Sequence, residues 1–181
     1  MENIQVIKTN GSFTLNLKSG EKKVSYQSLE CVVNEFNLHL EENASLELLT
    51  FNNGNIDNVK LNAHLEKGAH LTVYNMIISD KDVNITEEIY LEDSSAEANV
   101  LNVCLGYDEA RVNSLIHIFH NHEYTNSELE TYAIALDKAV LTLDNNATIK
   151  QGCRKSVVHQ KAKGLNLSAN STIKAQPNLY I

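Results

Sequence analysis

Residues 40–48 read LEENASLEL, and residues 65–73 read LEKGAHLTV. Placed one above the other, the two share a leading leucine, a polar residue, two loop-like residues, a small residue, a polar residue and an aliphatic one. The outline returns in LDNNATIKQ (143–151), in LSANSTIKA (167–175) and, with one extra residue, in LEDSSAEANV from Leu91. The leading residues Leu40, Leu65, Leu91, Leu143 and Leu167 are spaced by 25, 26, 52 and 24 residues. One degenerate unit is therefore expected between Leu91 and Leu143. A fixed period of this size marks a chain that buries its apolar face by stacking equivalent units.

The units are made of strands. FTLNLKSG, FNLHLEENASLELLTF, HLTVYNMII, NITEEIYLE and AVLTLDNNATIK alternate apolar with polar side chains, the period of a half-buried strand, and many end on Asn, Gly, Ser or Asp. SELETYAIALDK has helical propensity, but the alternation of Tyr132, Ile134 and Leu136 makes it a strand. Two or three short strands per unit of about 25 residues predict a parallel β-helix. Leu46, Leu48, Leu71, Val73, Ile149 and Ile173 then form inward ladders, and asparagine supplies the left-handed corners. The competing architecture is an antiparallel β-sandwich or jelly roll, in which short alternating strands also recur.

Composition narrows the function classes. A chain of 181 residues with 43% apolar content can bury a core without disulfides or metal. Cys31, Cys104 and Cys153 show no CxxC spacing and suit reduced thiols. MENIQVIKTNGS has no basic region followed by an apolar one, and no run of about 18 apolar residues occurs, so the expectation is a cytoplasmic protein outside any membrane. A net charge of -8 argues against nucleic acid as a partner. The segment Lys150–Lys163, KQGCRKSVVHQKAK, is the one local concentration of basic residues.

The chain contains no GxGxxG, GxxxxGK[ST], GxSxG or HExxH. In IHIFHNHEY, His120 and His122 are expected on one face of a strand with His117 on the other, which makes His120 and His122 candidate ligands for a transition metal. Cys104 reads as a small buried hydrophobe. Cys153, beside Arg154 and Lys155, is a candidate activated thiol.

Residues 120–181, which begin HNHEYTNSELETYAIALDK, resemble the core of the SufB/SufD family of iron-sulfur cluster assembly scaffolds. His120 is followed five and seven residues later by Thr125 and Ser127, as in that family. AVLTLDNNATIKQG, RKSVVHQKA, LNLS, and Pro177 with Leu179 and Ile181 follow in the family order. The resemblance covers about 60 residues from Ile118, and the upstream chain keeps the same rhythm. It implies a right-handed parallel β-helix over residues 1–181 as one domain, and a non-catalytic scaffold or accessory subunit. An iron-sulfur cluster would be held transiently with a partner, and a resident cofactor is left unassigned.

The flanking helices that dock an ABC-type ATPase of the SufC kind in typical members have no counterpart in residues 1–181. Leu46 stands where SufB-like proteins place the scaffold cysteine. The resemblance is thus to a reduced, SufD-like core. Pairing is expected through the last coil, at Pro177, Leu179 and Ile181, as a homodimer or as a heterodimer with a SufB-like scaffold. Two other functions fit the residues: a structural or binding β-helix unrelated to iron, and a metal-dependent barrel enzyme using His120 and His122.

Overall fold

The computed structural model describes residues 3–181, and among them every regular element is a strand. The first coils are β1 (Asn3–Ile7), β2 (Gly11–Leu17), β3 (Lys22–Gln27), β4 (Val33–Leu40), β5 (Ser45–Asn52) and β6 (Asn58–Leu65). The middle is built from β7 (His70–Ser79), β8 (Val83–Leu91), β9 (Glu97–Gly106) and β10 (Arg111–His120). β11 (Asn126–Ala135), β12 (Val140–Ile149), β13 (Val157–Asn166) and β14 (Thr172–Tyr180) complete the stack. Odd-numbered strands form one seven-stranded sheet in the order β1-β3-β5-β7-β9-β11-β13, and even-numbered strands form a second, β14-β12-β10-β8-β6-β4-β2. Every pairing is parallel. The chain is therefore a parallel β-helix with two strands per coil, and the antiparallel sandwich is excluded. No helix among the described residues is long and apolar enough to cross a membrane.

Alternation places one side of each strand in a narrow interior. Leu46, Leu48, Leu71 and Val73 are all fully buried. Leu46, Leu71, Ala98, Ser127 and Val158 lie in one column, and Leu48, Val73, Val100, Leu129 and Gln160 in the next. Each fully buried leucine contributes roughly 1.5 to 3 kcal/mol. Ile149 and Ile173 are only half-buried, because they lie at the end of the stack, where β14 is the edge strand of its sheet among the described residues.

The repeat holds for its first three copies and not for the others. Leu17, Leu40, Leu65, Leu91, His120 and Ile149 occupy one column, so the coil lengthens from 23 residues to 25, 26, 29 and 29. Leu143 instead pairs with Ser114 inside a strand, and Leu167 lies past β13 at the opposite corner. Both corners end on a small buried residue, Ala44, Ala69 and Ala96 at one, Ala110, Ala139 and Ser171 at the other. Similar turn chemistry at the two corners made the Leu167 segment look equivalent, whereas LDNNATIKQ imitates a corner with polar residues that lie within β12.

Asparagine is also used differently from the expectation. The corner position with positive φ is taken in turn by Asn43, Gly68, Ser95, Tyr124 and Lys155, at φ of 57, 62, 61, 61 and 59°. Asn43 is the one asparagine with positive φ among the described residues. Others run in ladders on the outside of the second sheet: Asn113 donates to Asn84 at 3.0 Å, Asn84 to Asn58 at 3.4 Å, and Asn178 to Asn146 at 2.9 Å.

Candidate functional site

His120 stands in the aliphatic column, where the preceding coils place leucine. Its side chain is fully buried. The corner that follows turns the chain back, so residues five and seven positions on face it. Nδ1 lies 2.7 Å from the Thr125 hydroxyl, and Nε2 lies 2.9 Å from the Ser127 hydroxyl. Thr125 donates to the His122 carbonyl at 3.0 Å and sits 2.9 Å from the Ser156 hydroxyl. Burial lowers the His120 pKa to about 4, so the ring is neutral at physiological pH, one nitrogen donating and the other accepting.

β10 ends at His120, and His122 therefore does not share its strand face. It lies in the exposed corner, 3.8 Å from Asp93. His117 is on the outer face, its ring stacked on Phe119 at 3.8 Å between centroids and its Nε2 2.8 Å from the Thr148 hydroxyl. The structure thus brings His120 together with Thr125 and Ser127, and not with His122. Among the described residues no group of three His, Cys, Asp or Glu side chains is placed to hold a metal ion. A metal at His120 would have to displace one of the ring's two hydrogen bonds.

A second polar feature runs through the middle of the core. Thr50 donates to Asn75 at 2.6 Å, and Asn75 donates to Glu87 at 2.8 Å. One coil on, Asn102 donates to Ser114 at 3.1 Å, and the Cys104 thiol reaches the Asn102 carbonyl oxygen at 3.5 Å. Next, Thr131 donates to Asn145 at 3.1 Å, and Gln160 reaches the backbone carbonyls of Asn145 and Asn178. Thr50, Asn75, Asn102 and Thr131 are one column of the first sheet. Their partners come from the facing sheet, so the seam divides the interior into two apolar clusters, one on Leu40, Leu65 and Leu91, the other on Val112, Leu141 and Leu143.

The seam is not fully satisfied. Glu87 Oε2 and Asn145 Nδ2 have no protein partner. A cavity of about 10 Å³ beside Gln27, Asn52, Asn75 and Glu87 has room for one water. Burial raises the Glu87 carboxyl to about 7, and the hydrogen bond from Asn75 opposes that shift only in part. Burial likewise pushes the Cys104 thiol up to about 12, so it is protonated and unreactive. Sequence reasoning found Cys104 but missed Asn75, Glu87, Asn102, Ser114, Thr131 and Asn145. The available signal was phase: in NITEEIYLE, Glu87 falls in the inward register of Ile85 and Ile89.

At the far end, Pro177 lies within β14, the last strand of its sheet, paired with Asn145. An edge position tolerates a residue without an amide donor. Leu179 and Ile181 are exposed, as are Leu165 and Leu167. Cys153 is half-buried in the preceding corner, where its amide donates to the Lys150 carbonyl.

Neither a curated protein nor a solved structure matches the chain. A family model described as "SUF system FeS cluster assembly, SufBD core domain" matches residues 6–181, which takes in thirteen of the fourteen strands entirely and the end of the first. With the solenoid fold and the His120, Thr125 and Ser127 cluster already in view, the match over nearly the whole sequence places this chain in the SufBD core family.

Proposed function

We propose that this protein serves iron-sulfur cluster assembly in the cytoplasm as a non-catalytic, SufD-like scaffold or accessory subunit, with the cluster as its cargo. The observation that carries the reading is the family match over residues 6–181 on a solenoid of parallel strands. The accessory role is favoured by Leu46, which is fully buried in a leucine column and offers no thiol where a SufB-like scaffold has one.

Pairing runs through the last coil, at Pro177, Leu179 and Ile181, and its partner is a SufB-like scaffold. The edges of β13 and β14 have no further strand among the described residues, and free parallel edges are templates for another chain. Residues 150–181 carry Lys150, Arg154, Lys155, Lys161, Lys163 and Lys174 and no Asp or Glu. Two copies joined through this coil would set like charge against like, which favours a different partner over self-pairing. A SufC-type ATPase joins through that partner.

Anaerobic co-purification with a SufB-like scaffold and a SufC-type ATPase tests the proposal. The expected result is a complex that contains iron and sulfide and loses this subunit in the Leu179→Glu, Ile181→Glu double variant. Failure of the chain to enter any such complex would overturn it.

A further inference from the structure

Glu87 is the one buried Asp or Glu among the described residues. Its column runs Phe36, Leu61, Glu87, Ile116, Asn145, so it stands where the coils on either side place an apolar side chain. No salt bridge among the described residues involves it. The Cys104 thiol is the other titratable group of the seam, and it is neutral. An ionised Glu87 therefore has no positive charge opposite it, and Oε2 has no protein partner at all. The cavity beside it is lined by oxygen. The nitrogen ends of Gln27 and Asn52 are turned onto the carbonyls of Cys31 and Ile56, each at 2.9 Å, and Thr50 commits its hydroxyl proton to Asn75 at 2.6 Å. These residues leave the two amide carbonyls, a Thr50 lone pair and Glu87 Oε2, with Asn52 Oδ1 also accepting from the Gly54 amide at 3.0 Å. Oxygen donors of this kind suit hard cations.

We infer that this cavity binds one dehydrated monovalent cation, of the size of potassium or ammonium, against the Glu87 carboxylate. Charge sets the valence. One carboxylate balances one positive charge, whereas a divalent ion would leave net charge in an apolar surround. Volume sets the size. The cavity of about 10 Å³ is one sphere of about 1.4 Å radius, which potassium or ammonium fills and lithium does not. A water of the same size could donate to Oε2, but it would leave the buried negative charge uncompensated. Gln27, Thr50, Asn75 and Met76 line both this cavity and the groove that Leu49 and Tyr74 form on the outer face of the first sheet, so a thin wall of side chains separates it from solvent. The cation and the proton compete for the same carboxylate. With that carboxyl raised to about 7, the cation binds at pH 8 and is displaced near pH 4.5.

The test is thermal melting of the full chain at pH 8 in the chlorides of choline, lithium, potassium and ammonium at equal ionic strength. Potassium and ammonium should each raise the wild-type midpoint by several degrees over choline and do so saturably, as a ligand of the folded state does. Lithium should match choline. In Glu87→Gln the four salts should be equivalent, and in choline that variant should melt above the wild type. Near pH 4.5 the wild-type preference for potassium should vanish. Crystals grown in rubidium chloride should show an anomalous peak beside Glu87. Equal wild-type melting in all four salts at pH 8 overturns the inference, and so does a potassium shift that survives in Glu87→Gln. Rubidium crystals without the peak overturn it too, and make the occupant a water. The wild-type salt series and the crystals decide the matter even if Glu87→Gln fails to fold. None of these measurements touches the last coil, so the outcome is independent of pairing with a SufB-like scaffold.

Discussion

Asn75 donates its side-chain amide to Glu87 at 2.8 Å, the only hydrogen bond to this fully buried carboxyl among the described residues. One neutral donor does not offset desolvation, and the carboxyl is raised from 4.5 to about 7. The folded chain therefore holds this proton more tightly than the unfolded chain. Its contribution to stability is greatest below pH 4.5, falls as pH rises through 4.5 to 7, and stays at its minimum above 7. The full cost is about 3 kcal/mol. Glu87→Gln keeps an acceptor for Asn75 and removes the ionisation. The variant should melt several degrees above the wild type at pH 8 and coincide with it near pH 4.5, read by calorimetry across that range. Equal melting at pH 8 would show that the carboxylate is solvated in solution.

His120 has the opposite sign. Burial lowers its pKa from 6.5 to about 4, so the unfolded chain binds the proton better. The stability it contributes is present above pH 6.5 and is lost as pH falls from 6.5 to 4. His120→Leu restores the residue type of Leu17, Leu40, Leu65 and Leu91 in that column. It should remove the acid sensitivity in this window, at the cost of leaving the Ser127 hydroxyl without its partner, about 1 to 3 kcal/mol at neutral pH. Melting curves at pH 7.5 and 4.5 for both proteins separate the two effects. Acid sensitivity that persists between pH 6.5 and 4 in His120→Leu would show that it arises elsewhere in the chain.

The seam also has a pairwise test. Among the described residues Thr131 supplies the only donor to Asn145 Oδ1, and Asn145 Nδ2 already lacks a partner. Thr131→Val keeps the shape and strips the hydroxyl, which leaves a second polar atom of Asn145 unpaired in the core. The expected loss is about 1 to 3 kcal/mol by chemical denaturation. Adding Asn145→Leu should recover part of it, because replacing both partners removes the unmet polar groups together. No recovery would mean that Asn145 is held by a bound water.

The parallel stack was legible because LEENASLEL and LEKGAHLTV are true register neighbours, Leu40 on Leu65. Later copies were not, since His120 fills the leucine position and the coils lengthen to 29 residues, which hides the period from any comparison that expects leucine. The His120, Thr125 and Ser127 spacing carried real geometry: the corner between them closes a distance that the linear sequence does not display. Glu87 could be read from its phase between Ile85 and Ile89, but the Asn75 and Asn102 column and the apolar outer face were hidden for a different reason. An alternating strand has two faces, and the pattern alone does not say which face is interior when polar residues stand inside, as Asn75 and Asn102 do, and apolar ones outside, as Leu49 and Met76 do.

Backbone strain at the corners gives the last expectation. Gly68 and Lys155 hold equivalent positions with φ of 62 and 59°, a region that costs an L side chain roughly 1 kcal/mol or more. At Gly68 an added Cβ would press on the Asn43 side-chain oxygen, so Gly68→Ala should be destabilising by more than the conformational term alone. At Lys155 the strain is already present, offset in part by the position of its ammonium 5.0 Å from the Tyr124 ring. Lys155→Gly should therefore stabilise the chain by about 0.5 to 1 kcal/mol despite losing that contact. Paired denaturation curves for the two variants read the opposite signs directly. A destabilised Lys155→Gly would show that the contact with Tyr124 outweighs the backbone.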